Sequence, residues 1–416
     1  MLKVAILGAG GRGWGFARLI NSLAPLAKET AVAEPREHAR KTFAAEYGID
    51  GAQVFNNWRE FCAAPKQWDA VVISTMDQDH SGPALACLAK GYAVLLEKPM
   101  ATTLEECEAI EAAQRASGAI VAVCHSMRYH SGFSKVRELV AEGKIGRLMG
   151  VDQIEQVAYW HYVHSYVRGK WGVEKDSSFM LLAKSCHDID YLSALSGLEC
   201  LRVSSFGSLS HFKKENAPQG STPYCMDGCA VEESCAFSAK RLYAGQLPVW
   251  ISPLPPDVKD SPEARTEALR KGPYGRCVYL ADNDVVDHQV VILEYIGGLT
   301  ATFTMTGFTQ NPGRKIRVHG TEGEIEFEEG GLPEGDKLLL KRFSASGSES
   351  IPVPAEEGGH GGGDDRVVQN WLRAIQKNDP SLVMTNAQES LKTHRIVFAA
   401  ERARLENRVV TLKGFQ

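Results

Sequence analysis

The chain has 416 residues, enough for two domains with substantial cores. Its formal net charge is −5, and no run of Lys or Arg suggests a nucleic-acid partner. No apolar stretch is long enough to span a membrane, and the first predicted strand follows Met1 so closely that we expect no signal peptide. These features favour a cytoplasmic protein without a membrane partner.

A glycine-rich loop connects the first predicted strand, Val4–Leu7, to the first predicted helix. The loop has the G-x-G-x-x-G pattern of dinucleotide-binding proteins, in the strand-to-helix position that this pattern requires. Glycines permit a tight turn and let backbone amides approach a pyrophosphate at the helix N-terminus. The residues predicted to bind the cofactor here are Gly8, Gly10, Gly11, Arg12 and Gly13.

Glu34 is expected at the end of the second strand, about 20 residues beyond the glycines. A carboxylate at this position can accept hydrogen bonds from the adenosine ribose and repels a 2′-phosphate. NAD is therefore favoured over NADP as the cofactor. Arg36 could hold a 2′-phosphate, so NADP stays open as the less favoured alternative.

Lys98 follows an apolar strand that Pro99 must end, because proline cannot continue a central ladder. Lys98 is therefore expected at the carboxyl edge of the sheet, where open α/β sheets bind ligands. A lysine held beside Glu97 can orient a hydroxyl and stabilise developing negative charge on oxygen. The alternative is a solvated strand end with an incidental ion pair. The cofactor prediction also includes Glu97, and Thr75, Met76 and His80 at the end of the neighbouring strand.

The spacing of strands and helices predicts an α/β protein in two parts. Residues 1–125 are expected to form a doubly wound parallel Rossmann domain. Residues 126–416 are expected to form an α+β domain with an open, mainly antiparallel sheet. Two closing helices, about 365–376 and 387–406, can pack back on the Rossmann domain, and residues 245–275 are expected to be a long loop.

A predicted helix over 179–195 carries His187 and Asp188. Histidine suits proton transfer because its ordinary pKa lies near neutral pH, although an isolated helical histidine is more often structural. Lys184 lies three residues before His187, so the two are expected on one helix face. Lys98, His187 and Lys184 are the candidate catalytic residues.

The segment 159–171 is dense in aromatic and cationic side chains. Aromatic faces stack on sugars, and an arginine can grip an anionic group, whereas the alternative is a packed loop or an oligomer interface. His360, in a His-Gly-Gly-Gly-Asp stretch, is either a substrate contact or an incidental part of a capping loop. The substrate prediction comprises Tyr129, Trp160, His161, His164, Arg168, Trp171, Asp188 and His360.

The ten cysteines are expected to be free thiols in a reducing compartment. Cys225, Cys229 and Cys235 could supply thiolates to zinc. Their spacing departs from the usual C-x2-C pairs, and no fourth ligand is adjacent. We therefore predict no metal.

The chain resembles the Gfo/Idh/MocA family of nicotinamide-dependent oxidoreductases over nearly its whole length. The motifs that carry the resemblance are Gly8–Gly13, His80, Glu97-Lys98-Pro99, Arg128-Tyr129, Gly143-Lys144-Ile145-Gly146, His187-Asp188 and Gly320-Thr321-Glu322-Gly323. The resemblance implies that Lys98 reaches both the nicotinamide ribose and the substrate, that Arg128 belongs to the cofactor site, and that His187 is the acid/base. It implies a sugar, cyclitol or polyol substrate, and homodimers or homotetramers packed through the open sheet.

One position departs from the family pattern. The aspartate usual before the histidine is Ala183 here, and Ser177-Ser178-Phe179 replaces a run of glycines. Either His187 works without that carboxylate, or Lys184 or Asp188 takes part of its role.

Three hypotheses follow from these residues. The leading one is an NAD-dependent oxidoreductase that transfers a hydride between the nicotinamide and a secondary alcohol carbon of a sugar, polyol or glycoside. The second is an NAD-dependent glycoside hydrolase that uses transient oxidation, elimination, water addition and re-reduction. The third is a non-catalytic NAD-binding sensor.

Overall fold

The computed structural model describes residues 1–244, 250–330, 335–354 and 358–412. The chain divides into two compact units that interleave along the sequence. The first unit comprises Met1–Ser134, Cys186–Ala194 and Pro354–Phe398, and the second comprises Lys135–Ser185, Leu195–Val353 and Ala399–Gln416. The expected boundary at residue 125 follows sequence order, whereas the first unit also takes in two later stretches of the chain.

The first unit is built on a parallel sheet of six strands in the order β3-β2-β1-β4-β5-β6. This confirms the predicted Rossmann fold. The strands are β1 (Leu2–Leu7), β2 (Ala27–Ala33), β3 (Val54–Phe55), β4 (Ala70–Ile73), β5 (Ala93–Leu96) and β6 (Val121–Val123). β4 and β5 are buried along their whole length, as expected of parallel strands covered on both faces.

Helices alternate with these strands and close the chain. They are α1 (Gly11–Ser22), α2 (Glu37–Tyr47), α3 (Trp58–Ala63), α4 (Ser81–Ala89), α5 (Leu104–Ser117), α6 (Ser131–Ala141), α7 (Tyr159–Tyr162), α8 (Met180–Ala183), α9 (Cys186–Ser196), α10 (Ala239–Tyr243), α11 (Pro262–Lys271), α12 (Gly363–Lys377) and α13 (Ala387–Glu406). α5 illustrates how local signals set the ends. The hydroxyl of Thr103 caps its N-terminus, and Gly118 ends it in a left-handed conformation.

The closing helix α12 is part of the first unit's core. Its residues Val367, Val368, Trp371 and Leu372 are fully buried and belong to the same apolar cluster as the β1 and β4 side chains. The chain beyond α12 also pairs with the sheet, since the Val123 amide donates to the Thr385 carbonyl at 2.8 Å. The C-terminal helices therefore help to build the Rossmann unit.

The second unit contains a mixed sheet of nine strands in the order β14-β13-β12-β11-β7-β10-β9-β8-β15. The strands are β7 (Leu148–Gln156), β8 (Cys200–Ser208), β9 (His288–Tyr295), β10 (Thr300–Thr306), β11 (Gly313–Gly320), β12 (Gly323–Glu328), β13 (Lys337–Arg342), β14 (Glu349–Ser350) and β15 (Val410–Thr411). β7 and β10 are parallel and the other pairs are antiparallel, which confirms the predicted mainly antiparallel sheet. Burial alternates along its strands, so one face is apolar and the other carries charged side chains.

Two local predictions were wrong. The helix expected over 179–195 is interrupted at Lys184 and Ser185 between α8 and α9, so Lys184 and His187 do not share a continuous helix face. The long loop expected over 245–275 contains α11, whose N-terminus Ser261 caps, while its residues 245–249 lie outside the described chain. Within the described residues, no helix is long and apolar enough to cross a membrane.

Candidate active site

The glycine loop of the first unit has the geometry that a dinucleotide site needs. Gly8 has φ +97°, and a Cβ there would lie 2.5 Å from the Ser74 carbonyl oxygen, so only glycine fits. A Cβ on Gly10 or Gly11 would meet nothing within 4 Å in the described chain. The N-terminus of α1 therefore opens onto space that a pyrophosphate can occupy. These residues fit a dinucleotide.

Glu34 follows β2 and is 4% exposed. Its carboxylate accepts hydrogen bonds from the Ala9 amide at 2.9 Å and from the Arg36 amide and Nε at 3.0 and 2.8 Å. Burial alone would raise the pKa of this carboxyl, but the bonds from Arg36 and Ala9 outweigh it, and the pKa is lowered. Glu34 therefore stays ionised near neutral pH, beside the glycine loop.

The backbone that carries Lys98 is anchored on both sides. His80, which is fully buried, donates its Nδ1 proton to the Pro99 carbonyl at 2.6 Å, and the Met100 amide donates to His394 Nε2 at 2.9 Å. The Glu97 carboxylate accepts the Lys98 amide at 2.8 Å and also binds Arg12. Lys98 is thus held at a fixed position beyond β5, at the sheet edge where the sequence predicted it.

Arg12 lies between two buried carboxylates. Its Nε contacts Glu97, and its Nη1 donates to Asp364 Oδ2 at 2.7 Å. Asp364 also accepts from the Ser126 hydroxyl and lies 3.2 Å from His360 Nδ1. Burial would raise the pKa of Asp364, but Arg12 and His360 outweigh burial and hold this pKa well below its usual range. This network connects the glycine loop, the Lys98 loop and the start of α12.

His187 lies in the first turn of α9 and is 2% exposed. Its Nε2 lies 3.4 Å from Asp188 Oδ2, and its ring meets the His360 ring edge to face, with centroids 5.5 Å apart. Burial raises the pKa of the adjacent Cys186 to about 12, and the positive charge of Lys98 opposes that rise. The start of α9 therefore lies within electrostatic reach of Lys98.

Two predicted ligand contacts form internal bonds of the first unit. Arg128 is 6% exposed and makes a bidentate ion pair with Asp190, at 2.6 and 2.7 Å. Tyr129 is 2% exposed, and its hydroxyl accepts the Met384 amide at 3.0 Å. The prediction that Tyr129 faces the substrate is corrected, because its ring packs in the apolar core. Thr75 donates to the Asp79 carbonyl at 2.9 Å, and Met76 precedes the turn Asp77–Asp79.

Lys184 belongs to the second unit. Its Nζ lies 2.6 Å from Glu155 Oε1, and Arg314 Nε lies 2.7 Å from the other oxygen of Glu155. All three side chains are nearly buried. Lys184 therefore completes a buried charge network on β7 and β11, and its catalytic role stays a prediction.

The aromatic segment of the second unit is more buried than its composition suggests. Trp160 is 6% and Arg168 is 4% exposed. Arg168 donates Nε to the Arg276 carbonyl at 2.7 Å and Nη2 to the Phe237 carbonyl at 2.8 Å, so the expected grip on an anionic substrate is replaced by internal bonds. His164 stacks on Tyr274, and burial lowers its pKa to about 4. The ring of His161 contacts Trp250, and the ring of Trp171 contacts Tyr166.

Sequence reasoning missed several residues that shape this site. Asp364 was expected only as a helix cap, whereas it binds Arg12 and the Ser126 hydroxyl. His394 carries no local signal, since it is a single histidine inside α13. In the second unit, no sequence pattern predicted Trp250, which is 65% exposed and lies edge-on to His161.

Family comparisons agree with this geometry. The description "Oxidoreductase family, NAD-binding Rossmann fold" matches residues 2–125, and "Oxidoreductase family, C-terminal alpha/beta domain" matches residues 137–412. The chain belongs to the Gfo/Idh/MocA oxidoreductase family. The family assignment identifies residues 2–125 as an NAD-binding Rossmann domain.

Relatives within the Gfo/Idh/MocA family are distant. The oxidoreductase YteT of Bacillus subtilis is 25% identical over 317 residues, covering 73% of this chain and 71% of YteT. Inositol 2-dehydrogenase 2 of Saccharopolyspora erythraea is 27% identical over 205 residues, covering 49% of this chain and 56% of that enzyme. An oxidoreductase from Agrobacterium radiobacter, solved with NAD+, L-tartaric acid and magnesium, superposes with a TM-score of 0.71 at 15% identity, covering 100% and 99% of the two chains. This last likeness shows the fold.

His394 gives a testable pH dependence. Its Nδ1 donates to the Ser390 carbonyl at 2.7 Å and its Nε2 accepts from the Met100 amide, and the accepting Nε2 requires the neutral ring. Burial, with His125 nearby, lowers the pKa of His394 to about 3, against the weaker opposing effect of Asp190. The unfolded chain therefore binds the proton more readily below about pH 6.5, and stability falls as pH decreases.

We expect His394→Gln to reduce this acid sensitivity, because glutamine can accept from Met100 without titrating. Between pH 7.5 and 5.0 the wild type should lose about 2 kcal/mol more free energy of unfolding than the variant. Urea unfolding at both pH values measures this difference. His394→Leu should be about 1–3 kcal/mol less stable at both, because the Met100 amide loses its partner. His38→Gln, on the exposed side of α2, is the control, and equal acid sensitivity in wild type and His394→Gln would contradict the assignment.

Proposed function

We propose that this protein is an NAD-dependent oxidoreductase acting on a secondary alcohol of a sugar, polyol or glycoside, with Lys98 and His187 in the active site. The observation that carries the proposal is the anchored Lys98 loop, which lies within electrostatic reach of the helix turn that carries His187. The inositol dehydrogenase among the relatives supports a polyol-like substrate. When bound, the nicotinamide supplies or accepts the hydride.

Lys98 and His187 have different roles at the substrate oxygen. The Lys98 ammonium holds the hydroxyl and stabilises negative charge as the proton leaves. His187 takes that proton in oxidation and returns it in reduction, because neutral imidazole is a base near physiological pH. Ala183 supplies no carboxylate, and Asp188, 3.4 Å from His187 Nε2, is the acidic group that can replace it.

Packing of homodimers or homotetramers through the open sheet, and a cytoplasmic location, remain predictions.

Lys98→Met tests the role of the ammonium. It should lower kcat/KM about 100–1,000-fold for a sugar or polyol substrate, with NAD affinity largely kept, because the interaction is made chiefly in the transition state. Nicotinamide absorbance measures turnover across a panel of substrates. Lys41→Met, an exposed lysine paired with Glu37, is the control and should turn over like the wild type. Wild-type turnover in Lys98→Met would refute the proposal.

Glu34→Ser tests the preference for NAD. Removing the carboxylate removes repulsion of a 2′-phosphate and releases Arg36 from its ion pair, at 2.8 Å. The ratio of kcat/KM for NAD to that for NADP should fall at least tenfold. Glu37→Ser, an exposed acid three residues later, should leave the ratio unchanged. A ratio that does not fall in Glu34→Ser would show that Glu34 does not select the cofactor.

A glycoside hydrolase is the second candidate, favoured by the two adjacent histidines. His187 and His360 lie ring to ring, and His360 has φ +51°, a conformation uncommon for non-glycine residues that is often kept at functional sites. Elimination and water addition need proton transfers at two neighbouring atoms, which a pair of histidines can perform. In this case a p-nitrophenyl glycoside panel would release aglycone without net NADH, and His360→Asn would reduce that release. NADH accumulation without aglycone release would exclude it.

A further inference from the structure

A cavity in the second unit is lined by four cysteines. Cys225, Cys229, Cys235 and Cys277 all border a space of about 20 Å³, together with Arg168 and the ring of Phe237. The sequence spacing suggested only the first three as ligands, since Cys277 lies 42 residues beyond Cys235. The fold thus supplies the fourth sulfur that the spacing lacked.

Backbone pairing explains how Cys277 reaches the others. Tyr224 and Arg276 form an antiparallel bridge, with the Cys225 amide donating to Gly275 and the Cys277 amide donating to Pro223, both at 2.9 Å. Turns hold the remaining two cysteines, because the Cys235 amide donates to the Val231 carbonyl at 2.9 Å and the Cys229 carbonyl accepts the Glu232 amide at 3.2 Å. The positions of the four residues are therefore set by main-chain hydrogen bonds.

The sulfur of Cys225 lies beside two N–H donors. It accepts from the Ala239 amide at 3.5 Å and from Arg168 Nη2 at 3.8 Å. Donors of this kind orient the sulfur ligands of metal sites. Four cysteine sulfurs on the wall of one small cavity are the donor set of a structural zinc site.

The segment that carries the cysteines also needs a cross-link. It connects β8, which ends at Ser208, to β9, which begins at His288, and its described part contains only the short helices α10 and α11 with turns and 3-10 segments. Long segments with little regular structure are uncommon unless they have a function or are stabilised by a disulfide or a metal ion. All ten cysteines are free thiols, so disulfides do not provide one.

We propose that Cys225, Cys229, Cys235 and Cys277 bind a single zinc ion with a structural role. Four thiolates form a closed tetrahedral ligand set that leaves no position for substrate. The cavity holds about one water-sized sphere, which suits one ion and is too small for an iron–sulfur cluster. Among the described residues, no three His, Cys, Asp or Glu side chains already stand in a metal-binding arrangement. Each cysteine has one side-chain torsion, so rotamer changes turn the sulfurs inward on binding.

The ion would stabilise the position of Arg168, because its partner Arg276 directly precedes Cys277 and its partner Phe237 lies two residues beyond Cys235. Arg168 directly follows the helical turn that carries the aromatic segment. Zinc would therefore stabilise the fold of this segment without taking part in hydride transfer.

Metal analysis of the freshly purified wild-type protein, kept reduced and free of chelators, tests the proposal. We expect one zinc per chain by inductively coupled plasma mass spectrometry. After zinc is exchanged for Co2+, we expect the intense visible absorption of a tetrahedral thiolate site. Cys277→Ser should lose most of the zinc, and so should Cys229→Ser, whose half-buried side chain makes misfolding a lesser concern. Cys62→Ser, a partly buried cysteine of the first unit, is the matched control and should keep the full zinc content.

Three results would overturn the proposal. One is wild-type protein without stoichiometric zinc and without a thiolate spectrum on addition of Co2+. Another is iron with acid-labile sulfide in place of zinc. The third is full zinc content in both Cys277→Ser and Cys229→Ser, with circular dichroism spectra like the wild type.

Discussion

The hydrogen bonds that hold the backbone around Lys98 are the constraint on which the rest of the first unit depends. A lysine has a long, flexible side chain, so its position is controlled through its main chain. His80 binds the carbonyl of Pro99, His394 binds the amide of Met100, and Glu97 binds the Lys98 amide. His80 precedes the first turn of α4, His394 lies in α13, and Glu97 belongs to the same loop as Lys98. The loop is therefore held by bonds from three parts of the chain.

Charge compensation makes this arrangement possible. Glu97 and Asp364 are both nearly buried, and two buried carboxylates are tolerable only when a cation lies between them. Arg12 fills that position, and it comes from the glycine loop. The same side chain thus connects the glycine loop to the Lys98 loop and to α12. Arg128 and Asp190 form a second buried pair of opposite charges. Asp190 lies on α9, so this bidentate ion pair holds the helix that carries His187.

The accuracy of the sequence predictions followed the range of the interactions involved. The glycine loop, Glu34 at the end of β2 and Lys98 beyond β5 all depend on neighbours within a few residues, and the structure has them at the predicted places in the fold. Arg168 was assigned to a ligand because of its residue type, and Tyr129 belongs to the Arg128-Tyr129 motif that carries the family resemblance. Both are buried and bonded to main-chain groups 69 to 255 residues away, and no local pattern reports such partners.

The sequence alone determined the Rossmann fold, the dinucleotide loop and the position of Lys98, because turn chemistry and strand periodicity are local rules. Only the tertiary structure decided which side chains complete the site. Asp364 and His394 reach the Lys98 loop because α12 and α13 are built into the first unit, and Cys277 joins the other cysteines because two short segments pair. The physical reason is the same in each case: burial brings distant groups together, and buried polar groups must find partners wherever the chain supplies them.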